Sequence, residues 1–290
     1  MNDHQLAQQQ PADIHEALDC MQQTLELFHE EGDKRAFFLR LYYVMTREVH
    51  AAIKGLGEYS GRTVFLDPPW IERLSGKFAS LYFRSLDGLD RNRGKNVERA
   101  WMLAHEAARG SGSTVVQNAL LGINAHINYD LARAIATNFD PGDLADPATL
   151  ARRKFDHDQV NNLLVRTLEP IQKILAHDYE PGIDFADRVL GKLDERLSET
   201  GLKYYRERVW TDAVAFAAAM KRGNADIVEN KLDWESYKIA LYINDKRVLW
   251  AAERLLGQRW RRPAKGWSTI ELEGEGGVAV PHGRPVNPWH

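Results

Sequence analysis

Cysteine is almost missing from this chain: Cys20 is the only one in 290 residues. That excludes an intramolecular disulfide and cysteine-rich zinc sites, and it leaves His, Asp, Glu and Asn as the donors for any metal. A lone cysteine also suits the reducing cytoplasm expected for this chain. No charge of one sign dominates either. The 38 Lys and Arg against 41 Asp and Glu give a formal net charge of −3, so no overall positive field draws in nucleic acid or an anionic membrane. No apolar run approaches the roughly 18 residues of a membrane span. The opening "MNDHQLAQQQPAD" lacks the basic start and apolar stretch of a secretory signal. Also absent are a phosphate-cradling Gly-rich loop, a G-x-S-x-G elbow and an H-E-x-x-H pair, which leaves nucleotide-dependent chemistry and Ser-based acyl transfer without support.

What is present is helical patterning over a 44% hydrophobic composition, ample for a core. Leu18, Met21, Leu25 and Phe28 recur at three- and four-residue steps, one stripe of an amphipathic helix. "DKRAFFLRLYYVMTREVHAAIKGLG" follows, with Asp33 as its expected N-cap and Gly55 and Gly57 at its end. "LDPPWIERLSGKFASLYFRSL" pairs a capping Asp67 with a first-turn Pro68. "NVERAWMLAHEAARG" is stopped by Gly110 and Gly112. A helix from Ser113 or Thr114 to about Phe139 comes next, ended by "DPGDLADP". Then "DHDQVNNLLVRTLEPIQKILAHD" starts a helix that Pro170 is expected to kink or divide. "DFADRVLGKLDERLSE", "KYYRERVWTDAVAFAAAMKRG" and "DWESYKIALYINDKRVLWAAERLLG" complete the pattern. The fold class is all-α, with residues 1–258 forming a single domain of mostly antiparallel packed helices. From Arg259 to His290 the chain turns Gly- and Pro-rich, an irregular arm with room for a short hairpin in "STIELE" and "GVAVP".

One stretch carries chemistry. "LLGINAHINYDLARAIA" reads as a buried helix, yet it holds Asn124, His126, Asn128 and Asp130 within seven residues. At about 100° per residue, Asp130 lies roughly 40° from His126, one turn on and on the same face. Ile123, Ile127, Leu131 and Ala134 spread over an apolar stripe, and Asn124 and Asn128 fall on its far edge. A central helix covered on most sides is expected. An imidazole and a carboxylate one turn apart can converge on a cation, or form a general-base pair in which Asp130 sets the tautomer of His126. The same spacing also serves a hydrogen bond that closes a polar contact between packed helices.

Motifs of this stretch and its neighbours resemble an uncharacterised family, domain of unknown function 5995, marked by a G-I-N-A-H-I-N-x-D-L helix. "YYVMTREVHAAI" resembles its Y-x-x-x-T-x-x-V segment through Tyr42, Thr46 and Val49. "FLDPPWIERLSGKFASLYFRSL" resembles its F-x-D-P-x-W segment, and "DHDQVNNLL" its D-x-x-x-V-N segment through Asp156, Val160 and Asn161. "KRVLWAAERL" resembles the closing segment, with Leu249 where Ala is usual. The likeness spans roughly residues 40 to 257. It implies an all-helical fold and a polar cluster around Asn124, His126, Asn128 and Asp130. It implies no reaction.

Asp156, His157 and Asp158 are expected at a helix start, as a cap and solvated first turn or with Asp156 as a third ligand beside His126 and Asp130. His105 is expected either near that cluster or at a helix C-terminus stabilised by the dipole, and His50 likewise. The basic and aromatic "QRWRRPAKGW" reads as a solvated edge. The leading expectation is an enzyme acting on a small, partly apolar molecule. Zinc, iron or manganese, or an activated water, would sit at His126, Asp130 and Asp156, with Asn124 and Asn128 positioning substrate. Hydrolysis by a metal-bound water comes first and an iron oxygenase second. The competing expectation is a non-catalytic helical binding or scaffold protein whose polar cluster is structural.

Overall fold

The computed structural model describes residues 3–89, 98–110, 112–113, 115–178 and 199–245. Among them every regular element is helical. A short helix α1 (Asp3–Ala7) leads into α2 (Ile14–Glu30), α3 (Ala36–Lys54), α4 (Pro68–Ser85) and α5 (Arg99–Arg109). Then come α6 (Val115–Ala125), a π-helical turn (His126–Asp130) and α7 (Leu131–Asn138). The long α8 (Pro147–Asp178), α9 (Glu199–Arg222) and α10 (Ala225–Asn244) complete the described fold. The arm from 259 to 290, the "KRVLW" segment and most of "DFADRVLGKLDERLSE" lie outside the described residues.

Helix ends follow local chemistry. Asp13 caps α2 by accepting from the His15 and Glu16 amides, and Asp67 caps α4 from the Trp70 amide with prolines in the first turn. Gly55 closes α3 in the left-handed conformation at φ 63°, which glycine adopts without a Cβ penalty. Asp33 does not take the N-cap of α3. The helix starts later, at Ala36, because Asp33 accepts from the amide and side chain of Arg35 and orders the turn before it.

The helix expected to start at Asp156 starts instead at Pro147. In "DLADP", Asp146 accepts from the Ala148 and Thr149 amides while Pro147 opens the helix. A segment read as a terminator is therefore a cap. Asp156, His157 and Asp158 lie well inside α8, and the helix runs through Pro170 undivided.

The core has its axis in α6, the π turn and α7. α3, α5 and α10 pack along the first half of that rod, α4 and α9 along the second, and α2 backs α3 and α4. Gly76 permits the α2–α4 approach, since a Cβ there would lie 2.4 Å from the carbonyl carbon of Ala12. Trp70, Trp101, Tyr82, Tyr129 and Phe83 are among the large side chains buried completely, so much of the aromatic content is packing.

Candidate functional site

The central rod is not α-helical throughout. At His126–Asp130 the hydrogen bonding widens, and the Leu131 amide donates to the carbonyl of His126, five residues back. Such π turns insert one residue into a helix and re-aim the side chains around it. Here both His126 and Asp130 point into the protein, at 3% and 1% exposure.

His126 Nδ1 lies 3.0 Å from Asp130 Oδ2. The same oxygen accepts from Trp101 Nε1 at 2.9 Å, so α5 is tied to the π turn through one carboxylate. Around the imidazole is a ring of aromatic side chains. Phe78 stacks on it with centroids 3.5 Å apart and planes 8° from parallel. Tyr42 meets it edge-on at 4.3 Å, with Phe38 and Trp101 beyond. Tyr42, Phe78 and Tyr82 belong to the segments that carry the family resemblance, and the fold gathers them at His126. Its Nε2 has no hydrogen-bond partner, nor has the hydroxyl of Tyr42 or Tyr82.

Burial favours the uncharged form of both partners in the pair. It pushes Asp130 up to about 7, against the pull of the Trp101 hydrogen bond and of Arg84 and Arg133, and it holds His126 well below its ordinary value. The pair thus keeps one dissociable proton in weak acid. Between about pH 4 and 6.5 the unfolded residues also hold one proton, on the histidine, so the pair contributes little pH dependence to stability there.

The asparagines face the other way. Asn124 Nδ2 donates to the Ser236 carbonyl at 2.9 Å and its Oδ1 accepts from Asn128 Nδ2 at 2.9 Å, which joins the rod to α10. Polar groups on two sides of an apolar stripe were legible from periodicity. Of the expected stripe, Leu131 and Ala134 are buried and Ile127 packs against the same cluster, while Ile123 departs from it at 37% exposure. Asn124, hydrogen-bonded to Ser236 and Asn128, and the buried Asn118 take the interior side of α6, and apolarity alone does not reveal that.

Asp156 does not join His126 and Asp130. Its carboxylate accepts from the Leu66 and Asp67 amides at 2.6 and 2.8 Å, fastening the loop before α4 to α8. Arg153 reinforces this joint through Asp67 and Asp143. Among the described residues no three His, Cys, Asp or Glu side chains are grouped to hold a metal.

His105 connects to the pair through one intermediary. It stacks on Trp101 at 5.2 Å, and its Nε2 is 2.9 Å from the Ser85 hydroxyl. It is 2% exposed and lies one turn before the end of α5 at Arg109, so it is both close to the cluster and near a helix C-terminus. His50 packs edge-on against His15 at 4.5 Å.

Burial, then the charges of Arg35 and Arg109, hold His105 well below its ordinary 6.5. As pH falls through about 6.5 the unfolded chain gains a proton that the folded chain refuses. Stability conferred by this residue is therefore present above that pH and declines below it, by up to about 1.4 kcal/mol per pH unit. His105→Gln is expected to remove that share of the slope between about pH 7.5 and 5.5 in urea unfolding. An unchanged slope would show that the folded state protonates His105 freely.

Sequence reasoning passed over Trp101, Phe78 and Asn118. Trp101 lies one turn before His105 in "AWMLAHEAARG", a spacing that places both on one face. Asn118 is a polar residue inside the apolar run "VVQNALLGINA", the same signal that singled out Asn124.

The chain is thus an all-helical protein built around a buried imidazole–carboxylate–indole cluster. It belongs to the family of unknown function DUF5995, whose model matches residues 14–245. No curated protein and no solved structure matches it. Among the described residues, no helix is long and apolar enough to cross a membrane.

Proposed function

We propose that the chain is a non-catalytic helical binding protein, and that His126 and Asp130 lock Trp101 and the π turn in place. One observation carries the reading: Asp130 Oδ2 is shared by His126 and Trp101, while Phe78 covers the imidazole face to face. A carboxylate engaged in this way, in a dense aromatic surround, satisfies buried donors that would otherwise cost about 1–3 kcal/mol each. Asn124 and Asn128 do the same toward α10, and Asp156 toward the loop before α4.

One observation favours a second reading, a metal-free acid/base enzyme acting on a small molecule. Once Asp130 is ionised, above about pH 7, neutral His126 with its N–H at Nδ1 toward that carboxylate leaves the unpartnered Nε2 with a free lone pair, as a general base requires. Metal-bound-water hydrolysis and iron oxygenation have weaker support, because among the described residues no third His, Cys, Asp or Glu joins His126 and Asp130 to hold zinc, iron or manganese.

Metal analysis and chemical protection separate these readings. Protein purified without chelator is expected to hold no stoichiometric zinc, iron or manganese. Native His126 is expected to resist diethyl pyrocarbonate until global unfolding, as followed by peptide mass spectrometry. Stoichiometric metal that His126→Ala loses while still folded by circular dichroism would restore the metal enzyme. Rapid modification of His126 in the native protein would favour the acid/base site.

A further inference from the structure

Behind the wall formed by Phe38, Tyr82 and Trp101 lies a cavity of about 20 Å³, about 260 Å³ with its open mouth included. The inner volume accommodates on the order of one to two water-sized groups. Its lining is unusually polar for an interior between α3, α5 and α6. Asn118 is 4% exposed, and neither atom of its amide has a partner. Arg35 and Tyr82 line the same cavity, and Arg35 Nη1 and the Tyr82 hydroxyl are likewise buried without partners. Native interiors leave few such groups unsatisfied, at roughly 1–3 kcal/mol each. Four orphaned atoms on three residues that line one void point to something that occupies it.

The chemistry of the occupant follows from the lining. Arg35 offers Nη1 as a fixed donor, because its Nε and Nη2 are held by Asp33 and Asp3. Of the lining cations Lys34 and Arg35, Arg35 is paired with Asp33 and Asp3, the latter also paired with Arg109, so that among the described residues Lys34 is left without a carboxylate. Among the described residues, Lys34 Nζ donates to a carbonyl, that of Gly110 at 2.7 Å, and forms no ion pair. The excess positive charge favours an anion. Asn118 presents one donor and one acceptor whichever way its amide is turned. A carboxylate satisfies the donors and leaves the Asn118 acceptor open, which a hydroxyl beside the carboxylate closes. The inner volume suits a planar carboxylate head better than a tetrahedral phosphate.

We infer that this cavity binds a small 2-hydroxy acid, with Arg35, Asn118 and Tyr82 gripping its polar end and the Trp101 side of the mouth receiving its carbon chain. This rests on the reading of the chain as a binding protein. It fails separately from that reading, because the metal and protection results stand whether or not an acid binds.

Lactate is the probe, with propionate lacking the hydroxyl, lactamide lacking the charge, and inorganic phosphate as comparisons. In thermal unfolding of the full chain, lactate is expected to raise the melting temperature saturably, by about 3 °C at tenfold its dissociation constant. Propionate should act more weakly and lactamide and phosphate not at all. Asn118→Leu fills the void and removes two unsatisfied atoms, so it should melt no lower than wild type yet lose the lactate response. If that variant misfolds, the near-isosteric Asn118→Asp should lose the response by repelling the anion. No saturable response to any acid, with water alone in the cavity, would overturn the proposal. So would an equal response to lactamide, a stronger response to phosphate, or an undiminished lactate response in a folded Asn118 variant.

Discussion

Asp130→Ala is expected to lower stability by about 3–5 kcal/mol, the range for removing one partner of a buried polar network. Three losses combine in it. Trp101 Nε1 keeps a buried proton with no acceptor, since its bond goes to Asp130 Oδ2. His126 Nδ1 loses the partner that sets its orientation. The volume of a side chain that is 1% exposed is left empty, and a buried void adds to the cost. A fall in melting temperature on the order of 10 °C follows for a chain of this size. Asp130→Asn is the control: an amide oxygen standing where Oδ2 stands still accepts from Trp101 Nε1 and from His126 in its Nδ1–H form, so it should lose under about 1 kcal/mol. Denaturant midpoints at neutral pH measure both. If Asp130→Ala and Asp130→Asn were equally stable, the carboxylate would not be holding Trp101, and the structural reading of the pair would fail.

Gly122→Ala should destabilise by about 3 kcal/mol, the upper end for forcing extra volume into a packed interior. A Cβ at Gly122 would lie 2.4 Å from Cγ and 2.8 Å from Cβ of Phe38. Those atoms are the root of the Phe38 side chain, so no rotation of its tip relieves the contact and α3 must shift against α6. Phe38 also lies against His126, Tyr42, Tyr82 and Trp101, and any displacement spreads to the polar pair and the adjoining cavity. The glycine of the G-I-N-A-H-I-N-x-D-L helix thus has a physical reason: α3 packs where a side chain would stand. Near-ultraviolet circular dichroism should report the disturbed aromatic cluster alongside the lowered midpoint. A variant with wild-type stability and spectrum would mean that α3 and α6 yield there without penalty.

Much of the architecture was legible before any coordinates, because local rules governed it. Apolar residues at three- and four-residue steps marked α2 and α3, and Asp67 with Pro68 marked the start of α4 through the missing amide and the orphaned first-turn donors. The same rule applied less well at "DLADP", where one Asp-Pro pair serves a new helix and resembles a stop. The polar pair was found for the right local reason, since residues four apart share a helical face. Its surroundings were not. Phe78 lies on α4 and Trp101 on α5, and no spacing in the chain brings either to His126.

From composition and periodicity alone came an all-helical chain, a buried central rod and the four polar residues that interrupt it, because each depends on neighbours within a turn or two. Which partners they and Asp156 take was decided by distant contacts: Asp156 turned to the loop before α4, Asn124 to α10, and Asp130 to Trp101. A carboxylate's partner is chosen by which donors the packed helices bring within about 3 Å. That choice belongs to the assembled core, where unpaired polar groups are costly, and it is not written in any one segment.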